Sequence, residues 1–143
     1  MDFKKQFTLN IEKVFEKEIR NKRAREGTKK LIEEFFYDLK IQTEEISEAA
    51  GSNFSVNITE KSYSIKIYKS EVTLYYYSDK IIAIVSSNGY GHKYEFIYDP
   101  DKYSYLHQGK SLNEKMLQHY ITEAFQKPFQ QIIGEEIAMA IEE

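Results

Sequence analysis

Apolar residues recur at helical spacing along the first fifty residues of the chain. The first stripe takes every third or fourth position, between lysines and glutamates, and consists of Phe3, Phe7, Ile11, Val14, Phe15 and Ile19. A second stripe follows Gly27, stops before Gly51, and consists of Leu31, Ile32, Phe35, Phe36, Leu39, Ile46, Ala49 and Ala50. This spacing is typical of amphipathic helices, and glycine often ends one. We therefore predict two antiparallel helices within residues 1–50 that meet at Gly27, in preference to one long bent helix.

The period of the pattern changes to two near residue 53 and stays there as far as His107. Alternating apolar and polar residues are typical of strands, and turn-forming residues leave only short connections between the runs. Strands joined so closely are antiparallel neighbours. Residues 80–86 are apolar on both faces, which favours a central strand that is covered on both sides. We predict an antiparallel meander of five or six strands over residues 53–107.

Helical spacing returns after Ser111, which forms a capping-box pattern with Glu114. The stripe is interrupted by Pro128 and consists of Leu117, Tyr120, Ile121, Ala124, Phe125, Phe129, Ile132, Ile133, Ile137, Ala140 and Ile141. Proline removes a hydrogen bond from a helix interior. We predict a C-terminal helix over residues 111–142 that is broken or kinked at Pro128.

These three segments predict a single α+β domain over residues 1–143, helical over 1–50, a sheet over 53–107 and helical again over 111–142. A chain of 143 residues suits one domain. The helices have apolar faces and the meander has an apolar face to cover, so we expect the helices to pack on one face of the sheet.

Composition narrows the functional classes. The chain has no cysteine, which excludes disulfides and thiolate metal sites. Its longest apolar run is residues 81–85, and its first ten residues hold no apolar signal stretch. We therefore predict a cytoplasmic protein that does not enter a membrane.

Basic residues cluster within residues 20–30, although the whole chain has a net charge of −3. The cluster consists of Arg20, Lys22, Arg23, Arg25, Lys29 and Lys30. Basic side chains can hold phosphates, and the many tyrosines of the predicted sheet can stack on bases. A nucleic-acid-binding module that uses this cluster is one alternative function. The negative total charge, the acidic residues of 31–50 and the strand propensity of tyrosine weigh against it.

We recognise no catalytic or metal-binding motif in the sequence that would indicate an enzyme. The three histidines, His92, His107 and His119, match no compact metal motif. The residues after Asp99 lack the later glycine and glutamate of a calcium loop. We predict no metal, no cofactor and no catalytic residue, and an enzyme with an unrecognised active site is the second alternative.

The leading hypothesis is a small non-enzymatic binding protein that engages a protein partner or forms a homodimer. The C-terminal stripe is more apolar than a peripheral helix needs, and such a face completes a core or meets a partner. The predicted interaction residues are Phe129, Ile132, Ile133, Ile137 and Ile141.

Overall fold

Helices flank a sheet along the chain, and the computed structural model describes residues 2–136, 139 and 141. The helices are α1 (Phe3–Val14), α2 (Glu16–Gln42), α3 (Glu44–Ala50) and α4 (Glu114–Ile133), with a 3₁₀ turn at Gly51–Asn53. The strands are β1 (Phe54–Ile58), β2 (Ser62–Ile67), β3 (Ser70–Tyr76), β4 (Lys80–Ser87), β5 (Tyr90–Asp99), β6 (Ser104–His107) and β7 (Lys110–Ser111).

The strands form one antiparallel sheet in the order β1-β2-β3-β4-β5-β6-β7, which confirms the predicted meander. It has seven strands rather than five or six, because a two-residue strand, β7, pairs back onto β6. The turn between β4 and β5 is Asn88–Gly89, and both residues have positive φ, as a type I′ hairpin turn requires.

The core lies between one face of the sheet and helices α2 and α4, so the predicted one-sided packing is confirmed. Helix α2 contacts β1, β2 and β6, whereas α4 contacts β3 and β4. The two helices contribute Ile32, Phe36, Leu117, Ala124 and Phe125 to this core. The strands contribute alternate residues, namely Val56, Tyr63, Ile65, Val72, Leu74, Ile81, Ala83, Val85, Phe96, Tyr98 and Tyr105.

The expectation that the central strand is covered on both faces is wrong. Strand β4 is central, but within the described residues no helix covers its second face. There Ile82 is half-buried and Ile84 is 39% exposed. On this open face the neighbouring strands place Tyr75 and Glu95 beside Ile82, and Thr73 and Lys93 beside Ile84.

The predicted break at Gly27 is also wrong, since Gly27 lies in the interior of α2. The junctions fall instead at Phe15 and Thr43, where φ and ψ depart from helical values. Helical hydrogen bonds still span the first junction, from the Phe15 N–H to the Ile11 oxygen and from the Ile19 N–H to the Phe15 oxygen, 3.0 Å each. Helices α1 and α2 therefore follow one another and are not an antiparallel pair.

The C-terminal helix starts and ends at other residues than the pattern predicted. Asn113 caps it by accepting from the Met116 N–H at 2.9 Å, while Ser111 belongs to β7. Helix α4 continues through Pro128, whose ring is buried, and ends at Ile133 because Gly134 adopts a left-handed conformation. Across the described residues, no helix is long and apolar enough to cross a bilayer.

Candidate functional site

Helix α1 exposes its whole apolar stripe to solvent. Each of residues 2–18 is exposed, with Phe3 79% and Val14 73% accessible. The helix is nevertheless well formed, since Asp2 caps it by accepting from the Lys5 N–H at 2.8 Å. The sequence identified this stripe correctly as an amphipathic helix, but the covering face is not supplied by the chain's own sheet.

The apolar residues of α1 continue through Phe15 into α2 as one row, which ends at the half-buried Ile19. We call this set the N-terminal row; it recurs at every fourth position and consists of Phe3, Phe7, Ile11, Phe15 and Ile19. The rings of Phe3 and Phe7 are stacked with centroids 5.8 Å apart. Steps of four place successive residues only about 40° apart around a helix. The row therefore forms a contiguous apolar ridge.

Exposure of the ridge to water is unfavourable in free energy. Burial of a phenylalanine or isoleucine side chain contributes about 1.5–3 kcal/mol. A helix of this length is marginal in water without packing on an apolar partner surface. Among the described residues, Phe3, Phe7, Ile11 and Phe15 of this row stay exposed to solvent.

Helix α2 is fixed to the sheet just beyond this row. The Lys17 ammonium donates to the Asp101 carboxylate at 2.7 Å, and this contact holds the pKa of Asp101 below its usual range. The Arg20 guanidinium lies over the Tyr103 ring, 4.0 Å from its centroid. Both partners belong to the β5–β6 connection, so α1 extends from an anchored start of α2.

Most side chains of the basic cluster contact other residues of the same chain. Besides Arg20, Arg25 lies over the Tyr98 ring at 4.2 Å and donates to the Ser78 carbonyl, and Lys29 lies 5.6 Å from the Tyr76 ring centroid. The remaining contacts are i,i+4 ion pairs of α2, namely Lys22–Glu26, Lys29–Glu33 and Lys30–Glu34. Arg23 lines an open groove beside Leu9 and Ile19.

The tyrosines of the core face are packing residues. The Tyr63 hydroxyl donates to Glu33 at 3.1 Å, and burial raises the pKa of Tyr63. Burial likewise raises the pKa of Tyr105, whose hydroxyl oxygen lies 3.2 Å from the Tyr76 hydroxyl and from the Tyr77 and Ser78 carbonyl oxygens. These rings are enclosed between sheet and helices and are not a base-stacking platform.

A cleft of about 790 Å³ lies between the β4–β5 hairpin and α4. At its edge Glu123 accepts from the Tyr94 hydroxyl at 2.7 Å, and His92 Nδ1 lies 3.2 Å from the same carboxylate oxygen. Burial and the Glu123 contact raise the pKa of Tyr94 to about 12, so the phenol stays protonated. Asn88 donates to Gln131 across the cleft at 3.0 Å. Both contacts are made to one carboxylate oxygen of Glu123.

Sequence reasoning missed this cleft because its partners lie far apart in the chain and belong to no motif. His92 is on a strand and Glu123 on a helix, thirty-one residues later. Over residues 2–136, 139 and 141, no group of three or more His, Asp or Glu side chains is placed to hold a metal ion.

The predicted C-terminal interaction residues lie in different environments. Phe129 packs on the core and stacks on Phe125 with centroids 6.1 Å apart. Ile132 and Ile133 are exposed at the end of α4. Ile141 lines a groove between α2 and α4, and Ile137 lies outside the described residues.

No protein-family model matches the chain, and no curated protein matches it in sequence. Its function must therefore be inferred from its own surfaces. The most extended apolar surface among the described residues is the N-terminal row, and a smaller one is the pair Ile132 and Ile133.

Proposed function

We propose that the protein is a non-enzymatic binding protein that docks through the N-terminal row onto a protein surface, either that of a different protein or that of a second copy. The observation that carries the proposal is a capped, amphipathic α1 whose large apolar side chains are all exposed. An apolar helix face of this kind is a common recognition element between proteins.

The charges around the ridge favour a protein over a lipid surface. Residues 2–18 carry four basic and four acidic side chains, namely Lys4, Lys5, Lys13, Lys17, Asp2, Glu12, Glu16 and Glu18. Interfacial membrane helices are rich in lysine and arginine, which the anionic headgroups attract. A balanced mixture of charges is typical of helices that pair with other helices.

The exposed pair Ile132 and Ile133 supports a second, smaller contact surface at the end of α4. The nucleic-acid alternative has less support, because Arg20, Arg25 and Lys29 already lie on tyrosine rings of the sheet.

A photo-cross-linking residue placed at position 7 of the full chain tests the proposal in the native host. We expect efficient cross-links to a protein, either one discrete partner or another copy, because Phe7 lies in the ridge. Position 9 is the control: Leu9 is also exposed but lies about 200° around the helix from Phe7. Equal or absent protein cross-linking at positions 7 and 9 would contradict the proposal.

A further inference from the structure

The N-terminal row is symmetric about Ile11. Phe7 and Phe15 lie four residues to either side, and Phe3 and Ile19 lie eight residues to either side. When two such rows pack antiparallel with a two-fold axis at Ile11, each apolar side chain comes to the same level along the helix pair as an apolar side chain of the other copy. A two-fold interface needs a patch that complements itself in this way.

Two charged residues have the same symmetry. Lys4 and Glu18 each lie seven residues from Ile11, which places them on the same side of the helix as the row. Both are exposed, and neither belongs to an ion pair among the described residues. Antiparallel pairing about Ile11 brings Lys4 of each copy to Glu18 of the other. Parallel pairing would bring lysine to lysine and glutamate to glutamate.

The remainder of the chain leaves this arrangement accessible. The anchors of α2, Lys17 with Asp101 and Arg20 with Tyr103, lie on other sides of the helix from the ridge. Residues 2–18 are exposed throughout, so a second α1 can approach along their full length.

We propose that two copies of this chain associate by antiparallel packing of their N-terminal rows about a two-fold axis at Ile11, with Lys4 of each copy paired to Glu18 of the other. The inference rests on the proposed function and specifies a second copy as the partner. One pair of short helices buries less than the roughly 1,200 Å² of a stable interface. The dimer is therefore weak and depends on protein concentration.

Sedimentation equilibrium of the full chain over a range of concentrations tests the pairing. The wild type is expected to form a dimer, and Phe7→Asp is expected to be monomeric because it places a carboxylate in the ridge. Lys4→Glu and Glu18→Lys each turn two attractive contacts into two repulsive ones. Each single change is expected to weaken association about fivefold or more. The double variant Lys4→Glu/Glu18→Lys is expected to restore it.

Lys5→Glu is the matched control, since it changes the net charge equally on a side of α1 away from the ridge and is expected to leave association unchanged. Circular dichroism of each variant serves to check that it is folded. A wild type that is monomeric at all concentrations, or a dimer indifferent to Phe7→Asp or to the single charge reversals, overturns the pairing. If the wild type is monomeric but position 7 still cross-links to a different protein, the proposed function stands and only the self-pairing fails; if neither occurs, both fail.

Discussion

A buried polar contact between Asn21 and Tyr98 fixes α2 on the sheet. Asn21 is 7% exposed, and its side-chain oxygen accepts a short hydrogen bond from the Tyr98 hydroxyl. The Arg25 guanidinium lies on the same ring. Burial raises the pKa of Tyr98, so its hydroxyl remains a donor at neutral pH.

Tyr98→Phe is therefore expected to lower the free energy of unfolding by about 1–3 kcal/mol, because it leaves the buried Asn21 oxygen without its donor. Urea denaturation measures the change. Tyr90→Phe, at a tyrosine that is exposed, removes the same atom and is expected to change stability by less than about 0.5 kcal/mol. Equal effects of the two variants would show that the Asn21 contact contributes nothing.

At this scale the sequence predicted residue types but not their partners. The basic cluster and the tyrosines suggested a nucleic-acid surface only as an alternative, with acidic residues and sheet packing as the competing explanation. The structure places Arg25 on Tyr98 and Lys29 near Tyr76, residues about fifty or more positions apart. Only the packing of α2 across the sheet brings them together, and no local pattern in the chain encodes that approach.

Among the elements, α2 runs through a glycine without a break. Gly27 has an ordinary negative φ, and a Cβ at this position would meet no atom within 4 Å. Glycine in a helix interior costs up to about 1 kcal/mol relative to alanine. The packing of Ile32 and Phe36 on the sheet outweighs that cost, so the helix continues.

Gly27→Ala is expected to raise the free energy of unfolding by about 0.5–1 kcal/mol, since it restricts the unfolded chain and fits the helix without strain. Thermal and urea unfolding measure this gain. Gly89→Ala gives the opposite sign, because Gly89 has a φ of +89° in the β4–β5 turn. A loss of stability in Gly27→Ala would show that this part of α2 needs the flexibility of glycine.

The strands were predicted better than the helix ends, for a physical reason. Short connections between alternating runs leave only an antiparallel meander, whatever the tertiary packing. A helix junction such as Phe15 contains no glycine or proline and depends on how the segment is held, here by Lys17 and Arg20 on the β5–β6 connection. The errors in the predicted helices therefore lie at their boundaries.

For the whole molecule, an amphipathic stripe shows that a face must be covered but not what covers it. Helices α2 and α4 pack on the apolar face of the sheet, and in the part of the chain that the structure describes the apolar residues of α1 stay exposed. The apolar content of the C-terminal stripe predicts an interaction surface there, and this stays a prediction, with Ile132 and Ile133 exposed at the end of α4. The sequence pattern does not show that α1 lies outside the core. That follows only from the packing of α2 and α4 on the sheet.

The enclosed tyrosines also set how the whole molecule responds to alkali. Burial is the main cause of the raised pKa values of Tyr63, Tyr94, Tyr105 and Tyr120, with that of Tyr94 at about 12. In the unfolded chain a tyrosine releases its proton near pH 10. Above that pH the unfolded state binds fewer protons than the native state, so the stabilisation that is present below about pH 10 is lost as the pH rises towards 12.

We expect the urea midpoint of Phe7→Asp, used to keep the chain monomeric, to fall between about pH 9 and about pH 11. Adding Tyr94→Phe removes one of the responsible groups, so the fall becomes smaller, whereas adding Tyr90→Phe at the exposed ring leaves it unchanged. A midpoint that is constant or rises over this range would show that the phenols reach water in the native state. That result would contradict the packing of α2 and α4 over the apolar face of the sheet. It would also contradict the inference that α1 is free to pair with α1 of a second copy.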